Sequence, residues 1–220
     1  MDKIVLSWSG GKDSSLSLYA IEHGGKYEID SLITTTTEGH DRINIHAVRL
    51  DVLKRQAEAI GLPVRYVRLP ERPSNDEYNK RFNDVLKECV AERITNVAYG
   101  DIFLEDLMDY RKENLAKVGM TGYFPLWKKD TKELAKKFID LGFRAIITCI
   151  DTRVLDGSLA GREFDYQFLN GLPENVDACG ENGEFHTFVY DGPIFKNKLS
   201  IQKGEAFKDE RFSYCDIMAI

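Results

Sequence analysis

Apolar and polar positions alternate along the chain in two different rhythms. "KIVLSWS", near the start, reads as a short buried strand, and the apolar residues from Ser14 to about Glu22 recur at helical spacing until Gly24-Gly25 stops them. "IDSLITTTT" is β-branched and reads as a second strand. From about Ala47 to Ile60 the residues Val48, Val52, Leu53, Ala57 and Ile60 share one helical face, closed by Gly61 and Pro63. "VRYVRL" predicts a third strand, Asn75 to Arg93 a helix, "NVAYG" a fourth strand, and Leu104 to Val118 another helix. Thr131 to Leu141 continues the helical pattern, and "RAIITCI" reads as a fifth strand. Strands that are apolar nearly throughout, alternating with helices, predict an α/β fold with a doubly wound parallel sheet.

The rhythm breaks after Asp151. Short apolar runs are separated by glycines, as in "GSLAGREF", "LNGLP" and "CGENGEFHTFVYDGP". The expected organisation is therefore an α/β domain over residues 1–150 and a smaller, irregular α+β region over 151–220 that binds substrate.

The stretch joining the first strand to the first helix, "LSWSGGKDSSLSL", carries the most chemistry. In a parallel α/β sheet ligands sit at the carboxyl ends of strands. A glycine-rich turn there exposes backbone N–H groups, and the following helix adds its positive end, so the combination favours a phosphate. A Walker loop requires GxxxxGK[ST], but here Gly11-Lys12 is followed by Asp13 and the upstream position holds Leu6. A GxGxxG fingerprint is absent as well. Ser9-Gly10-Gly11-Lys12-Asp13-Ser14 resembles instead the SGGxDS pyrophosphate loop of the N-type ATP pyrophosphatases, the PP-loop superfamily with its adenine nucleotide alpha hydrolase-like fold. That resemblance implies cleavage of ATP between the α and β phosphates and transfer of AMP to an oxygen of the substrate. It also implies Mg²⁺ as cofactor, with Asp13 as its candidate ligand, since magnesium favours one or two carboxylates plus phosphate oxygens.

The net charge of −6 supplies no general basic field for nucleic acid. No apolar run nears the ~20 residues of a membrane helix, and charges follow Met1 at once, so neither a membrane span nor a secretion signal is expected. Cys89, Cys149, Cys179 and Cys215 form no CxxC pair, which disfavours a cluster or a sulfur-carrying pair. A cytoplasmic protein with reduced thiols is the expectation.

A second motif lies near the end of the chain. "DACGENGEFHTFVYDGPIF", residues 177–195, resembles the signature of the diphthine–ammonia ligase family. The likeness extends to "YGDI" at Tyr99–Ile102, to Arg111 and to "PLW" at Pro125–Trp127, and it suggests a short, stand-alone member. It implies a ligase that adenylates a carboxylate, releases AMP and pyrophosphate, and forms an amide with ammonia. The implied acceptor is diphthine on elongation factor 2, or a small-molecule carboxylate where diphthamide is not made. Self-association is left open. An ATP-dependent tRNA-modifying PP-loop enzyme and a non-catalytic nucleotide-binding module are the alternative readings.

Residues follow from these motifs. Ser9, Gly10, Gly11, Lys12, Asp13 and Ser14 are expected to hold ATP, with Thr35, Gly100 and Asp101 at the neighbouring strand ends. Lys12, Asp13, Glu184 and His186 are the expected catalytic groups. In a strand, Glu184 and His186 would share one face with Phe188, and an acid beside a histidine suits proton uptake from ammonia. His46, Arg49, Arg111, Glu181, Asn182, Glu184 and Thr187 are expected to contact the acceptor. His40, Trp127 and "SLAGR" at Ser158–Arg162 are weaker candidates for the same role.

Overall fold

The computed structural model describes residues 1–38 and 48–220. Its first half runs β1 (Asp2–Ser7), α1 (Lys12–Gly24), β2 (Tyr27–Thr37), α2 (Leu50–Ile60), β3 (Val64–Leu69), α3 (Asn75–Ala91), β4 (Asn96–Ala98), α4 (Glu105–Ala116) and β5 (Thr121–Tyr123). The five strands pair in parallel in the order β3-β2-β1-β4-β5. The strand order reverses between β1 and β4, and a crevice opens outside the carboxyl ends of strands at such a point.

Side chains alternate across this sheet as the pleat demands. Ile4, Leu6, Leu32 and Ala98 face α1 and α2, together with Leu18, Leu53 and Ile60. Val5, Ile33, Val67 and Val97 face the other way, onto Leu86 and Cys89 of α3 and Leu115 of α4. The inner strands β1, β2 and β4 are thus buried on both faces toward their carboxyl ends, which accounts for the scarcity of charge there.

The second half comprises α5 (Thr131–Asp140), β6 (Arg144–Asp151), a short 3₁₀ turn at Gly157–Leu159, α6 (Tyr166–Asn170), β7 (Phe185–Asp191), β8 (Ile201–Lys208) and β9 (Phe212–Ala219). Its strands form a separate antiparallel sheet in the order β7-β6-β9-β8. Here the structure corrects one expectation. The "RAIITCI" segment does not join the parallel sheet; it is β6, antiparallel to β7 and β9, and the fifth parallel position is filled by the three-residue β5. Ala145 to Asp151 are all buried, and an apolar run of this kind reports burial without reporting the direction of pairing.

The two sheets share a core. Ala145 and Ile147 of β6 and Phe185 and Val189 of β7 pack in the same cluster as α1, α2 and the near face of the parallel sheet. The helices α1 and α2 therefore lie between the sheets, and β7 is brought against the loop that follows β1. Among the described residues no helix is long and apolar enough to cross a membrane. All four cysteines are free and buried.

Candidate active site

The loop between β1 and α1 is shaped by its neighbours. Trp8 N donates to Ile33 O at 2.8 Å, which keeps the exit of β1 aligned with β2. Gly10 has φ +78°, and a Cβ there would lie 2.9 Å from Gln56 Oε1. Both the left-handed backbone and the close approach demand glycine. Gly11 is the N-cap of α1 in extended conformation and brings no side-chain cap. The first N–H of the helix, at Lys12, is taken by Thr187 Oγ1 at 3.1 Å; the positive end of the helix still suits an anion. Ser14 Oγ donates to Gly11 O at 2.9 Å and lies 3.2 Å from Ser9 Oγ, so two hydroxyls flank that end. At the tip of β4, a Cβ on Gly100 would sit 3.0 Å from the Asp13 carbonyl carbon; glycine lets the strand end abut the first turn of α1.

Charged groups gather beside the loop. Lys12 is only 3% exposed. Its ammonium donates to Asp13 Oδ2 at 2.9 Å and to the Cys179 carbonyl, and lies 5.4 Å from the Phe185 ring centroid. Burial works to depress the Lys12 pKa, and the acidic groups beside it, Asp13 foremost and Glu181 among them, together outweigh it, so the ammonium is held charged. Asp13 Oδ1 is buried with no hydrogen-bond partner. Asp101 Oδ1 accepts from Arg111 Nη2 at 3.1 Å, and Arg111 Nε lies 2.7 Å from Oδ2 without hydrogen-bond alignment. The same guanidinium covers the Tyr99 ring at 4.2 Å, a cation–π contact that fixes its plane.

The segment before β7 is organised by its own carboxylates. Asp177 Oδ1 accepts from the N–H groups of Cys179 and Glu181 at 3.0 and 3.1 Å. Glu184 Oε1 accepts from Asp177 N and Asn182 Nδ2, and Oε2 from Asn182 N, at 2.9–3.1 Å. Glu184 precedes β7, so the expected strand face shared with His186 does not exist, and its carboxylate closes the turn. Glu181 points the other way. Its Oε1 accepts from Ile102 N at 2.7 Å, bridging to the loop after β4. Burial pushes the Glu181 carboxyl up to about 7; Asp13 and Asp101 add to the rise while the Ile102 N–H and Lys12 oppose it.

These groups line one cavity of about 660 Å³, within the range of small-molecule sites. Ser9, Gly11, Lys12, Asp13, Ser14, Thr35, Gly100, Asp101, Arg111, Glu181, His186 and Thr187 all border it. Thr34, near the end of β2, and Tyr99 of the "YGDI" stretch border it too, as do Glu71, Tyr78, Phe82 and Cys179, which were not singled out as site residues from the sequence. Gly10 lies behind the wall, against Gln56 and Phe188. Glu184 and Asn182 are not brought to the cavity, and Asn182 binds Glu184. Arg49 is likewise elsewhere, paired with Asp216 at 2.6 Å. His40 and His46 lie outside the described residues. Among the described residues no group of three or more His, Cys, Asp or Glu side chains could hold a metal ion by itself.

Both walls of the cavity have counterparts in known proteins. The profile of the diphthamide synthase N-terminal domain matches residues 1–122, and that of the diphthamide synthase C-terminal domain matches residues 130–220. The chain belongs to the diphthamide synthase family. The zebrafish (Danio rerio) diphthine–ammonia ligase is 30% identical across 92% of this chain and 88% of its own length. The human (Homo sapiens) diphthine–ammonia ligase is 25% identical across 90% of this chain and 82% of its own. The Schizosaccharomyces pombe diphthine–ammonia ligase is 28% identical across 97% of this chain, which spans 38% of that longer protein. Membership of this family makes the chain an enzyme of the ATP-dependent ligase class. Among solved structures, the U34-tRNA thiolase NcsA from Methanococcus maripaludis is 18% identical over 64% of this chain and 57% of its own, with a TM-score of 0.39, a likeness too partial to bear on fold or function.

Proposed function

We propose that the chain joins ammonia to a carboxylate of diphthine on elongation factor 2, using ATP. The acceptor carboxylate is adenylated, pyrophosphate leaves, and ammonia displaces AMP to leave the amide. The observation that carries this reading is the meeting, in one cavity, of the α1 N-terminus with Glu181 and His186 of the C-terminal motif.

Each wall has its task. The N-terminus of α1 and the hydroxyls of Ser9 and Ser14 bind phosphate oxygens, while Thr35 and Gly100 flank the nucleoside at the strand ends. Lys12 puts a fixed positive charge behind the loop, toward which charge develops as pyrophosphate departs. The orphaned Asp13 Oδ1 fits a magnesium ligand, since the ion takes one or two carboxylates and draws its remaining ligands from phosphate and water. When bound there, Mg²⁺ neutralises charge on the phosphates. Arg111, held flat between Asp101 and Tyr99, presents its remaining donors to the acceptor. Ammonia must shed a proton as it becomes an amide. Glu181, a carboxyl poised near neutrality inside the cavity, takes it, and His186 beside it binds the acceptor.

Product analysis tests the reading. With ATP, an ammonium salt and elongation factor 2 carrying diphthine, the expected products are AMP, pyrophosphate and a protein amide seen by mass spectrometry. ADP as the main nucleotide product contradicts the chemistry. AMP formation that requires a small carboxylate in place of the protein would retain the chemistry and move the acceptor.

A further inference from the structure

We propose that Gln56 on α2 and Thr187 on β7 form a clamp that sets the shape of the phosphate loop. Gln56 is fully buried, in the middle of an otherwise apolar helix face between Val52, Leu53, Ala57 and Ile60. A buried primary amide is costly unless its groups are bonded, and here both ends are engaged. Nε2 donates to Gly10 O at 2.9 Å and to Val189 O at 2.5 Å, while Oε1 accepts from Trp8 Nε1 at 2.9 Å. Gly10 O accepts a second hydrogen bond, from Val189 N at 2.9 Å. Two residues further on, Lys12 N donates to Thr187 Oγ1 at 3.1 Å.

The edge of β7 is thus joined to the loop where a neighbouring strand would otherwise pair. Two consequences follow. The Gly10 carbonyl, which would repel a phosphate, is held toward Gln56 and Val189, and the left-handed backbone at Gly10 is locked. The first turn of α1 is tied to the same strand that carries His186 into the cavity, so the phosphate wall and the acceptor wall move as one body. Gln56 and Thr187 act through the loop: they are positioning residues, and no contact of Gln56 with nucleotide is required.

The proposal rests on the reading that this loop holds ATP phosphates, and the test separates the two. Calorimetric titrations of the whole chain compare α,β-methylene-ATP with adenosine, for the unaltered protein, Gln56→Met and Thr187→Val. Met keeps most of the volume of Gln without its hydrogen bonds, and Val keeps the shape of Thr. The unaltered chain is expected to bind the methylene analogue far more tightly than adenosine. Each variant is expected to weaken the analogue about tenfold, as for loss of a buried hydrogen bond, while adenosine stays within about twofold. Equal binding of both ligands by the unaltered chain would overturn the phosphate reading, and the clamp with it. A strong phosphate dependence that survives in either folded variant, or an equal loss for both ligands, would overturn the clamp alone. Should Gln56→Met fail to fold, Thr187→Val decides by the same criteria.

Discussion

Two loops meet at the cavity and use their polar groups in opposite ways. In the loop between β1 and α1, glycines shape the backbone around the positive end of a helix, and the polar side chains stand around it. In the segment before β7, two carboxylates turn inward. Asp177 and Glu184 are occupied with backbone N–H groups of their own segment, whereas Glu181 and His186 border the cavity. A motif dense in acidic residues therefore presents fewer reactive groups than it contains. The same carboxylate chemistry serves architecture at Glu184 and, in our proposal, proton uptake at Glu181. What separates them is the number of N–H groups each one caps.

That contrast can be broken experimentally. The largest effect is expected for Glu181→Gln, which should lower amide formation by about 10²–10⁴ with little change in ATP affinity. Amide formation at an unchanged rate would remove Glu181 from the chemistry. Lys12→Met should follow, with a loss of about 10²–10³ in rate from weaker stabilisation of the departing pyrophosphate. Because the Lys12 ammonium also holds the Cys179 carbonyl, its melting temperature should fall as well. A slow but undiminished fold would assign Lys12 to phosphate alone.

Glu184→Gln sharpens the comparison from the other side. It leaves N–H groups around the turn short of acceptors, with an expected stability loss of about 1–3 kcal/mol by chemical denaturation. No loss would mean that Glu184 is free for other work. The smallest effect is a pH dependence. The Glu181 carboxyl is raised in the folded chain from 4.5 to about 7, so the fold favours its protonated form. The associated stability is complete below about 4.5 and is lost as the pH rises through about 7. Glu181→Gln should therefore raise the melting temperature at pH 8, by about 2–4 °C after allowance for solvent screening, and leave it unchanged at pH 4. An increase of the same size at both pH values would contradict the raised carboxyl.

The phosphate loop is legible in the sequence because its parts are contiguous: Ser9 to Ser14 carry the turn, the hydroxyls and the helix start in one stretch. The inner parallel strands are legible because burial on both faces leaves a run of apolar and β-branched residues. "RAIITCI" shows where that signal ends, since partner and direction are set by β7 and β9, which come later in the chain. The strand Thr121–Tyr123 is too short to leave any period. Glu181 and Glu184 cannot be told apart by alternation, because the segment is not yet a strand and Gly180, at φ +67°, reverses its course. Gln56 does leave a mark, as a lone amide within an apolar helix stripe. Its three partners lie on two separate elements, the loop after β1 and the strand β7, and only the fold brings both to it.

The division of labour between the two loops is tested most directly by ATP–pyrophosphate exchange in Glu181→Gln, with acceptor present and ammonia absent. Exchange reports adenylation alone. The account predicts exchange at close to the unaltered rate in this variant, alongside the collapse of amide formation once ammonia is added. Loss of exchange in parallel with loss of amide, in a protein that still binds ATP, would place Glu181 in the adenylation step and contradict the division.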